Sequence, residues 1–485
     1  MRPKLELLDG SLVERILDEA FQLIREPGIR VAPYAIELLH SAGAHIVGGV
    51  VQIPEALARH ALDTAPHEFF LYDRSGNPVV HYGGDDVHYD PGSSCLNILD
   101  SETQRTRPAQ SADLVQLVQV TEMLPQYAAQ STAVVCDDVP AEIADWYRLL
   151  LVLLYSAKPV VTGAFSGSSL HSLLELLAIE SGGSEALRQK PRAVFDVCPS
   201  PPLNWSEFAS QNMMDLARAG VPAEIVSMPQ AGATAPVTLA GAIVQHAAEC
   251  ISGITIHQLA FPGAPVVWGG APAIFDMRTG TCPMGAIETT MLDLGCAQVG
   301  KYLGLPTHGY LVAGDGICVD AQAAAESGIS AVLGALAGIN MISGAGMLEF
   351  TGCQSIEKLV IDAEAIASAQ RLIQGIEQRS ESLAVSMFAQ TGLHGDFLKL
   401  KETRAFFRTE QHFPSAVVDR EAHSVGEAGP NILTRARQRI ADLLASYHRP
   451  EMSSDREQAM LDFGRHEARE FELPDLVLLG CGLRD

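Results

Sequence analysis

The stretch IVSMPQAGATAPVTLAGAIVQHAAE, residues 225–249, carries an apolar run into a helix. Ile225-Val226-Ser227 reads as a short strand, the residues up to Ala235 as a loop of Pro, Gln, Ala, Gly and Thr, and Pro236-Val237-Thr238 as a helix opening. A strand that feeds a helix is half of a right-handed crossover between parallel strands. Small residues at that handover either pack closely or leave room for something to lie against the backbone.

Working outward, the same rhythm recurs. Short β-branched or apolar runs appear at Val87–Tyr89, Tyr127–Val135, Pro159–Thr162, Ala193–Val197, Ile225–Ser227, Pro265–Trp268, Thr307–Val312 and Ile339–Ile342. Most lead through small-residue loops into amphipathic stretches such as Leu239–Leu259 and Thr289–Leu303. Eight such units predict an α/β fold of the (β/α)8 TIM-barrel type over residues 86–365. A doubly wound open sheet is the alternative, because periodicity does not count closure. Residues 1–85 read as an N-terminal α+β portion: helical spacing from Leu12 to Ile24, a helix opening at Pro54, a strand at Glu68–Tyr72 and a turn at Asp73–Pro78. Residues 366–485 read as a C-terminal helical extension packed on the barrel, with helices at Ala367–Glu381 and Leu433–Tyr447.

Composition narrows the function. With 47% hydrophobic and 19% charged residues the chain is well packed, and a net charge of −25 argues against nucleic acid or an anionic membrane as partner. The acidity is compatible with a cationic small substrate. Nine scattered cysteines without a CxxC pair suggest reduced thiols and a cytoplasmic location. The opening MRPKLELLDGSLVERILDEAF has no apolar core of a signal peptide, and no uncharged run reads as a membrane span.

In a parallel barrel the chemistry sits at the carboxyl ends of the strands. Those ends carry many glycines and few charges: Asp90–Ser94, Gly163–Gly167, Cys198–Trp205, Gly269–Pro272, Gly314–Gly316 and Ser343–Phe350. Such a mouth suits a flat, bulky group against the backbone. His88 and Asp90 share one strand face, and His308 and Asp315 lie near another strand end, but no HExxH or Cys/His cluster points to a metal site. Ser166 lacks the Gly-x-Ser-x-Gly elbow, and Gly314-Asp315-Gly316 has no lysine after it to make a phosphate loop.

Pro236–Gly241, Gly344–Glu349 and His394-Gly395-Asp396-Phe397-Leu398, with Leu71–Arg74 and Gly83–Asp85, resemble the trimethylamine methyltransferase family over nearly the whole chain. The resemblance implies a barrel that passes a methyl group from a methylated amine to the cobalt of a partner corrinoid protein. No cofactor would then be bound covalently, the corrinoid (cobalamin) coming with the partner, and a homo-oligomer is possible. Founding members carry pyrrolysine before the eighth strand. Here that neighbourhood, Asp315–Gln322, holds only standard residues, which points to the quaternary-amine branch that includes glycine betaine methyltransferases.

A quaternary ammonium leaves as a neutral amine, so the site needs orientation and charge placement more than a general acid. Aromatic faces suit a cation: Tyr89, Phe165, Trp205, Trp268, Tyr310 and Phe350 are the substrate-binding candidates near strand ends, with Arg278 for a substrate carboxylate. His308, Asp315 and Glu349 form the candidate catalytic set, the two acids supplying negative potential. Gly232, Ala233 and Thr234, with Gly344 and Gly346, are candidates to face the corrinoid or the polar end of the substrate. Two alternatives remain open: a demethylase using another acceptor such as a folate, and a non-catalytic quaternary ammonium binding protein.

Overall fold

The structure, a computed structural model, describes residues 2–165, 169–422 and 429–469. Ser166 and Gly167 of the third strand end, and Cys481, lie outside the described residues. The protein is α/β. Its parallel strands are β1 (His88–Pro91), β2 (Gln130–Ser131), β3 (Val160–Gly163), β4 (Ala193–Val197), β5 (Ala223–Ser227), β6 (Val266–Gly270), β7 (His308–Tyr310) and β8 (Met341–Ala345). They coincide with the apolar runs of the sequence. A helix follows each one, the last being Ile356–Ile373.

β2 to β6 pair in chain order as one parallel sheet, and β7, β8 and β1 as a second. Backbone bonds also cross both seams. Trp268 N–H donates to Pro306 O at 2.9 Å beside a Trp268–Thr307 bridge, and Ala128 N–H donates to Tyr89 O at 2.9 Å.

Successive side chains on each strand alternate between the surrounding helices and a common inner face. The lowest inner layer is apolar: Ala129, Val161, Val194, Val267 and Met341. Leu71, Val80 and Tyr82 of an N-terminal hairpin, Phe69–Tyr72 with Pro78–Tyr82, pack against this layer and close the amino end. The three N-terminal helices, Gly10–Arg25, Pro33–Ser41 and Glu55–Thr64, lie on Leu239–Ala260.

Helix Leu239–Ala260 begins where the small-residue loop ends, its N-cap Thr238 accepting from Gly241 N–H. Its length and hydropathy alone would let it cross a bilayer, but 83% of the apolar window is buried within the protein, as in a core helix. Among C-terminal elements, Ile432–Ser446 packs on Ile356–Ile373 and Ser111–Met123. Ser454–Arg469 packs on Ser169–Ser181, with Phe463 edge-on to Trp146 at 6.0 Å.

Three aromatic residues expected at the substrate belong to this helix–strand packing. Tyr89 faces outward and donates its hydroxyl to Ala331 O at 2.9 Å. Trp205 is buried against the long helix and donates Nε1–H to Ser252 Oγ at 3.0 Å. Trp268 is buried against helix Ile287–Tyr302, donating to Cys296 O at 2.9 Å. Proximity to a strand end in sequence does not say which face a side chain takes. For Trp268→Ala we expect a loss of about 4 kcal/mol of unfolding free energy in a denaturant titration, because both a large packed ring and a buried hydrogen bond go.

Candidate active site

Above the apolar floor, the second inner layer is polar. Period two along the strands brings Asp90 of β1, Asp196 of β4, Glu224 of β5, His308 of β7 and Ser343 of β8 into it. Gly269 of β6 makes the space: a Cβ there would lie 2.9 Å from Glu224 Cγ and 3.3 Å from His308 Nδ1. Asp90, Glu224, His308 and Ser343 are all buried.

A chain of contacts links them. Ser343 Oγ donates to Asp90 Oδ1 at 2.6 Å, and His308 Nε2 lies 3.0 Å from Ser343 Oγ. The serine has one proton to give and gives it to Asp90, so His308 donates from Nε2. A neutral imidazole with that tautomer leaves Nδ1 bare, 2.8 Å from Glu224 Oε1. That short contact lacks the alignment of a hydrogen bond: Nδ1 and both Glu224 oxygens have no hydrogen-bond partner, nor do Asp90 Oδ2, Asp196 Oδ1 and the Tyr82 hydroxyl. Such a concentration of unpartnered acceptors is unusual in a protein interior.

The electrostatics follow from burial. Asp90 and Glu224 are buried, Asp196 lies beside them half-buried, and one imidazole shares the layer, so the three carboxyl groups do not all ionise. Burial pushes the Glu224 carboxyl from an ordinary 4.5 up to about 8, and raises Asp90 and Asp196 well above the carboxylate range, their mutual repulsion adding to it. Burial also lowers His308 to about 4, so its imidazole is neutral. Tyr82 lies beneath this layer, its phenol raised by burial and by Glu224. Tyr310, two residues beyond His308 on the same face, stands above it. Its ring meets the imidazole edge-on at 6.1 Å, and its hydroxyl accepts from Ser93 N–H at 2.9 Å. An aromatic ring over a carboxyl-rich recess is chemistry for an organic cation.

Of the candidate catalytic set, only His308 lies in this layer. Asp315 accepts from the Met284 and Gly285 amides at 2.7 and 3.0 Å, tying the loop after β7 to the loop after β6. Glu349 accepts from Thr106 Oγ1 at 2.8 Å and likewise braces the rim. Phe165 and Phe350 are exposed on the rim, Phe165 with the Arg148 guanidinium 5.4 Å from its ring centre. Arg278 is exposed and holds Asp276 at 2.6 Å.

The opening loop differs from expectation. The Ala233 and Thr234 amides both donate to Gln230 O, and the Gly232 amide donates to Ala235 O, so the turn uses its own donors. Gly344 and Gly346 also serve the backbone. Gly344 has φ 115°, and a Cβ on it would meet Leu311 O at 2.0 Å; a Cβ on Gly346 would meet the Gln354 amide at 2.8 Å. The two glycines therefore have structural duties that account for their size, and the 232–234 amides are already taken by the turn.

Asp90, Asp196, Glu224 and Ser343 are the site residues that sequence reasoning misses. Each sits as a polar residue in a short apolar strand, and period-two alternation is the signal that could have found them. Among the described residues, no group of three or more His, Cys, Asp or Glu side chains has metal-holding geometry.

The class that the fold and the inner layer define is an α/β protein with carboxyl groups gathered at the inner face of its parallel strands. Comparison gives the chemistry. Residues 1–471 match the model of the trimethylamine methyltransferase (MTTB) family. The chain is 30% identical over 434 residues to trimethylamine methyltransferase MttB of Desulfitobacterium hafniense (strain DSM 10664 / DCB-2), covering 88% of this chain and 86% of that one. It is 30% identical over 465 residues to MttB of Methanosarcina barkeri, 93% of each chain. With the glycine betaine methyltransferase of D. hafniense (strain Y51) it shares 26% identity over 473 residues, 96% of this chain and 98% of that one. In fold it is similar to the crystal structure of the hydroxylamine MtmB complex (TM-score 0.52, 13% identity, 91% of this chain and 89% of that chain). It is also similar to that of Methanosarcina barkeri monomethylamine methyltransferase MtmB (TM-score 0.51, 12% identity, the same coverage). The protein belongs to the trimethylamine methyltransferase family and is a methyltransferase of the methylated-amine class.

Two measurements test the site. Glu224 binds its proton more tightly in the folded than in the unfolded chain, so its burial makes stability fall as pH rises from about 4.5 to about 8. In thermal unfolding over that window, Glu224→Gln should show a shallower decline of Tm than the wild type. A bound ammonium favours the ionised carboxyl, so affinity for a quaternary amine should rise with pH towards about 8, with protons released in calorimetry across buffers of different ionisation enthalpy. Equal pH dependence in wild type and Glu224→Gln would remove Glu224 from the site.

Proposed function

We propose that the protein transfers a methyl group from a quaternary amine, glycine betaine-like, to the Co(I) of a separate corrinoid protein, and that its strands form a closed (β/α)8 barrel around the site. The observation that carries the reading is the carboxyl layer of Asp90, Asp196 and Glu224 beneath Tyr310, in which Asp90 Oδ2, Asp196 Oδ1 and both Glu224 oxygens have no hydrogen-bond partner. The bonds across both seams, Trp268 to Pro306 and Ala128 to Tyr89, support closure. Standard residues at Asp315–Gln322 favour the quaternary branch over trimethylamine. Free cysteines suit a cytoplasmic location.

The acceptor is a substrate delivered by another protein, and it supplies the nucleophile. The chain's rim fits such delivery: Leu96, Phe165, Val237, Met277, Ile317 and Phe350 are exposed apolar residues on the loops after β1, β3, β5, β6, β7 and β8. Apolar side chains gathered around one opening suit a protein or a large planar group. Inside, the carboxyl layer holds the ammonium, Tyr310 borders it, and the Tyr82 hairpin shuts out water from below. The methyl group to be transferred points towards the rim. The nitrogen takes the electron pair of the breaking C–N bond and leaves as a neutral tertiary amine, so no proton has to be supplied.

Protonation of the layer tunes this step. One negative charge balances the bound ammonium. A fully ionised layer would hold the ground state too firmly, because the charge on nitrogen vanishes as the bond breaks.

The test is a panel of quaternary and tertiary amines with Co(I) cobalamin or corrinoid protein, followed by loss of Co(I) absorbance. Quaternary amines should discharge the Co(I) signal, and Asp196→Asn and Glu224→Gln should each lower kcat/KM by about 100-fold. Turnover only with a folate, or amine affinity without any demethylated product, would select one of the two alternatives.

A further inference from the structure

We propose that the buried Asp145–Arg148 pair is a positioning device for the carboxyl layer, holding the Phe165 ring beside it directly and Tyr310 above it through the turn at Ser93-Ser94. The proposal rests on the reading of that layer as an amine site. The two residues lie one turn apart at the start of helix Ala144–Tyr155, which follows β2, and Arg148 is fully buried. Its guanidinium gathers two loops onto the helix. Nη2 donates to Asp145 Oδ1 at 2.8 Å, while Nη1 donates to Ser94 Oγ at 3.1 Å and to Thr132 O at 3.3 Å. Phe165, after β3, is held twice. Its N–H donates to Asp145 Oδ2 at 2.7 Å, and its ring centre lies 5.4 Å from the Arg148 guanidinium carbon.

What the pair positions follows from Gly163. That residue pairs with Asp196 across β3 and β4 and lies two residues beyond Val161 of the apolar floor, so it belongs to the polar layer. Without a side chain it leaves a hollow there: a Cβ on Gly163 would lie 3.1 Å from Phe165 Cζ and 3.7 Å from Asp196 Cβ. The tip of the Phe165 ring therefore enters the layer beside Asp196, although the residue is 56% exposed at the rim. On the β1 side, Ser94 has a left-handed backbone with φ 61°, a conformation that a residue other than glycine keeps only where its surroundings hold it. Arg148 holds it through Oγ, and the neighbouring Ser93 N–H donates to the Tyr310 hydroxyl at 2.9 Å. β3 and β7 stand four strands apart, so in a closed ring the two aromatic side chains border an ammonium from opposite sides. Buried ion pairs add little net stability, and this one fixes geometry instead, setting both rings from a single cation.

The test is a double-mutant cycle on the full chain, read as the affinity for glycine betaine in calorimetry. Arg148→Gln and Phe165→Leu should each weaken binding by about tenfold, and the double variant should bind no more weakly than Arg148→Gln alone. A merely structural arginine would instead add its loss to that of Phe165→Leu. Additive losses, or wild-type affinity in Arg148→Gln, overturn the proposal. Hydrogen exchange without ligand separates it from the amine-site reading. Peptides covering Ser93-Ser94 and Phe165 should exchange about tenfold faster in Arg148→Gln, with peptides of β4 and β5 unchanged. A wild type that binds no amine sinks the amine-site reading, and exchange then decides the positioning by itself: unaltered exchange at Ser93-Ser94 and Phe165 overturns it. Should Arg148→Gln fail to fold, Asp145→Asn, which keeps the size of the side chain, takes its place with the same expected outcomes.

Discussion

The structure depends on crowding three carboxyl groups, two of them fully buried, into one inner layer. Asp90, Asp196 and Glu224 come from three different strands, yet alternation delivers them to one layer with a single imidazole. An isolated buried carboxylate is costly enough that the group keeps its proton instead. The raised Glu224 carboxyl and the depressed His308 imidazole are two sides of that constraint: both groups are neutral at pH 7. A neutral layer with unpartnered oxygens is what the proposed function would use to meet a positive charge.

Much of the surrounding design protects that state. The Leu71, Val80 and Tyr82 hairpin seals the amino end with apolar contacts. Asp315 and Glu349, charged residues that look catalytic in the sequence, spend their oxygens on the Met284 and Gly285 amides and on Thr106. By tying neighbouring loops they hold the rim in shape. Negative charge near a strand end is thus divided between bracing above and ligand-directed potential below, and hydrogen-bond satisfaction tells the two apart.

The strand order was legible because most of the parallel strands lie in short apolar or β-branched runs that lead into small residues. The site was less legible, for two physical reasons. A strand begun at Ile225 starts two residues after its true first residue, Ala223, and so leaves Glu224 outside. Strand ends also identify a neighbourhood without a face. Trp268 and Gly269 are adjacent, but the tryptophan packs on a helix while the glycine opens space for Glu224. His308 was accessible because a histidine in an apolar run stands out. Asp196 and Ser343 were legible only by counting alternation from a fixed register. The loop amides at 232–234 were beyond reach, since whether a turn consumes its own donors is a property of its backbone angles.

Holding a cation and letting it lose its charge pull in opposite directions. In the proposed reaction a methyl donor enters as an ammonium and departs as an amine, so every increment of negative potential that tightens entry also raises the barrier to transfer. A layer whose carboxyls exchange protons near neutral pH eases the conflict, because the number of negative charges facing the nitrogen adjusts to what is bound. Entry of the cation expels a proton and departure of the amine allows its return. The His308–Ser343–Asp90 chain links one of these carboxyls to the imidazole by hydrogen bonds inside the layer. A buried acid such as Glu224 with no hydrogen-bond partner, a poor contributor to stability in itself, fits the proposed site, whose charge would change once per turnover.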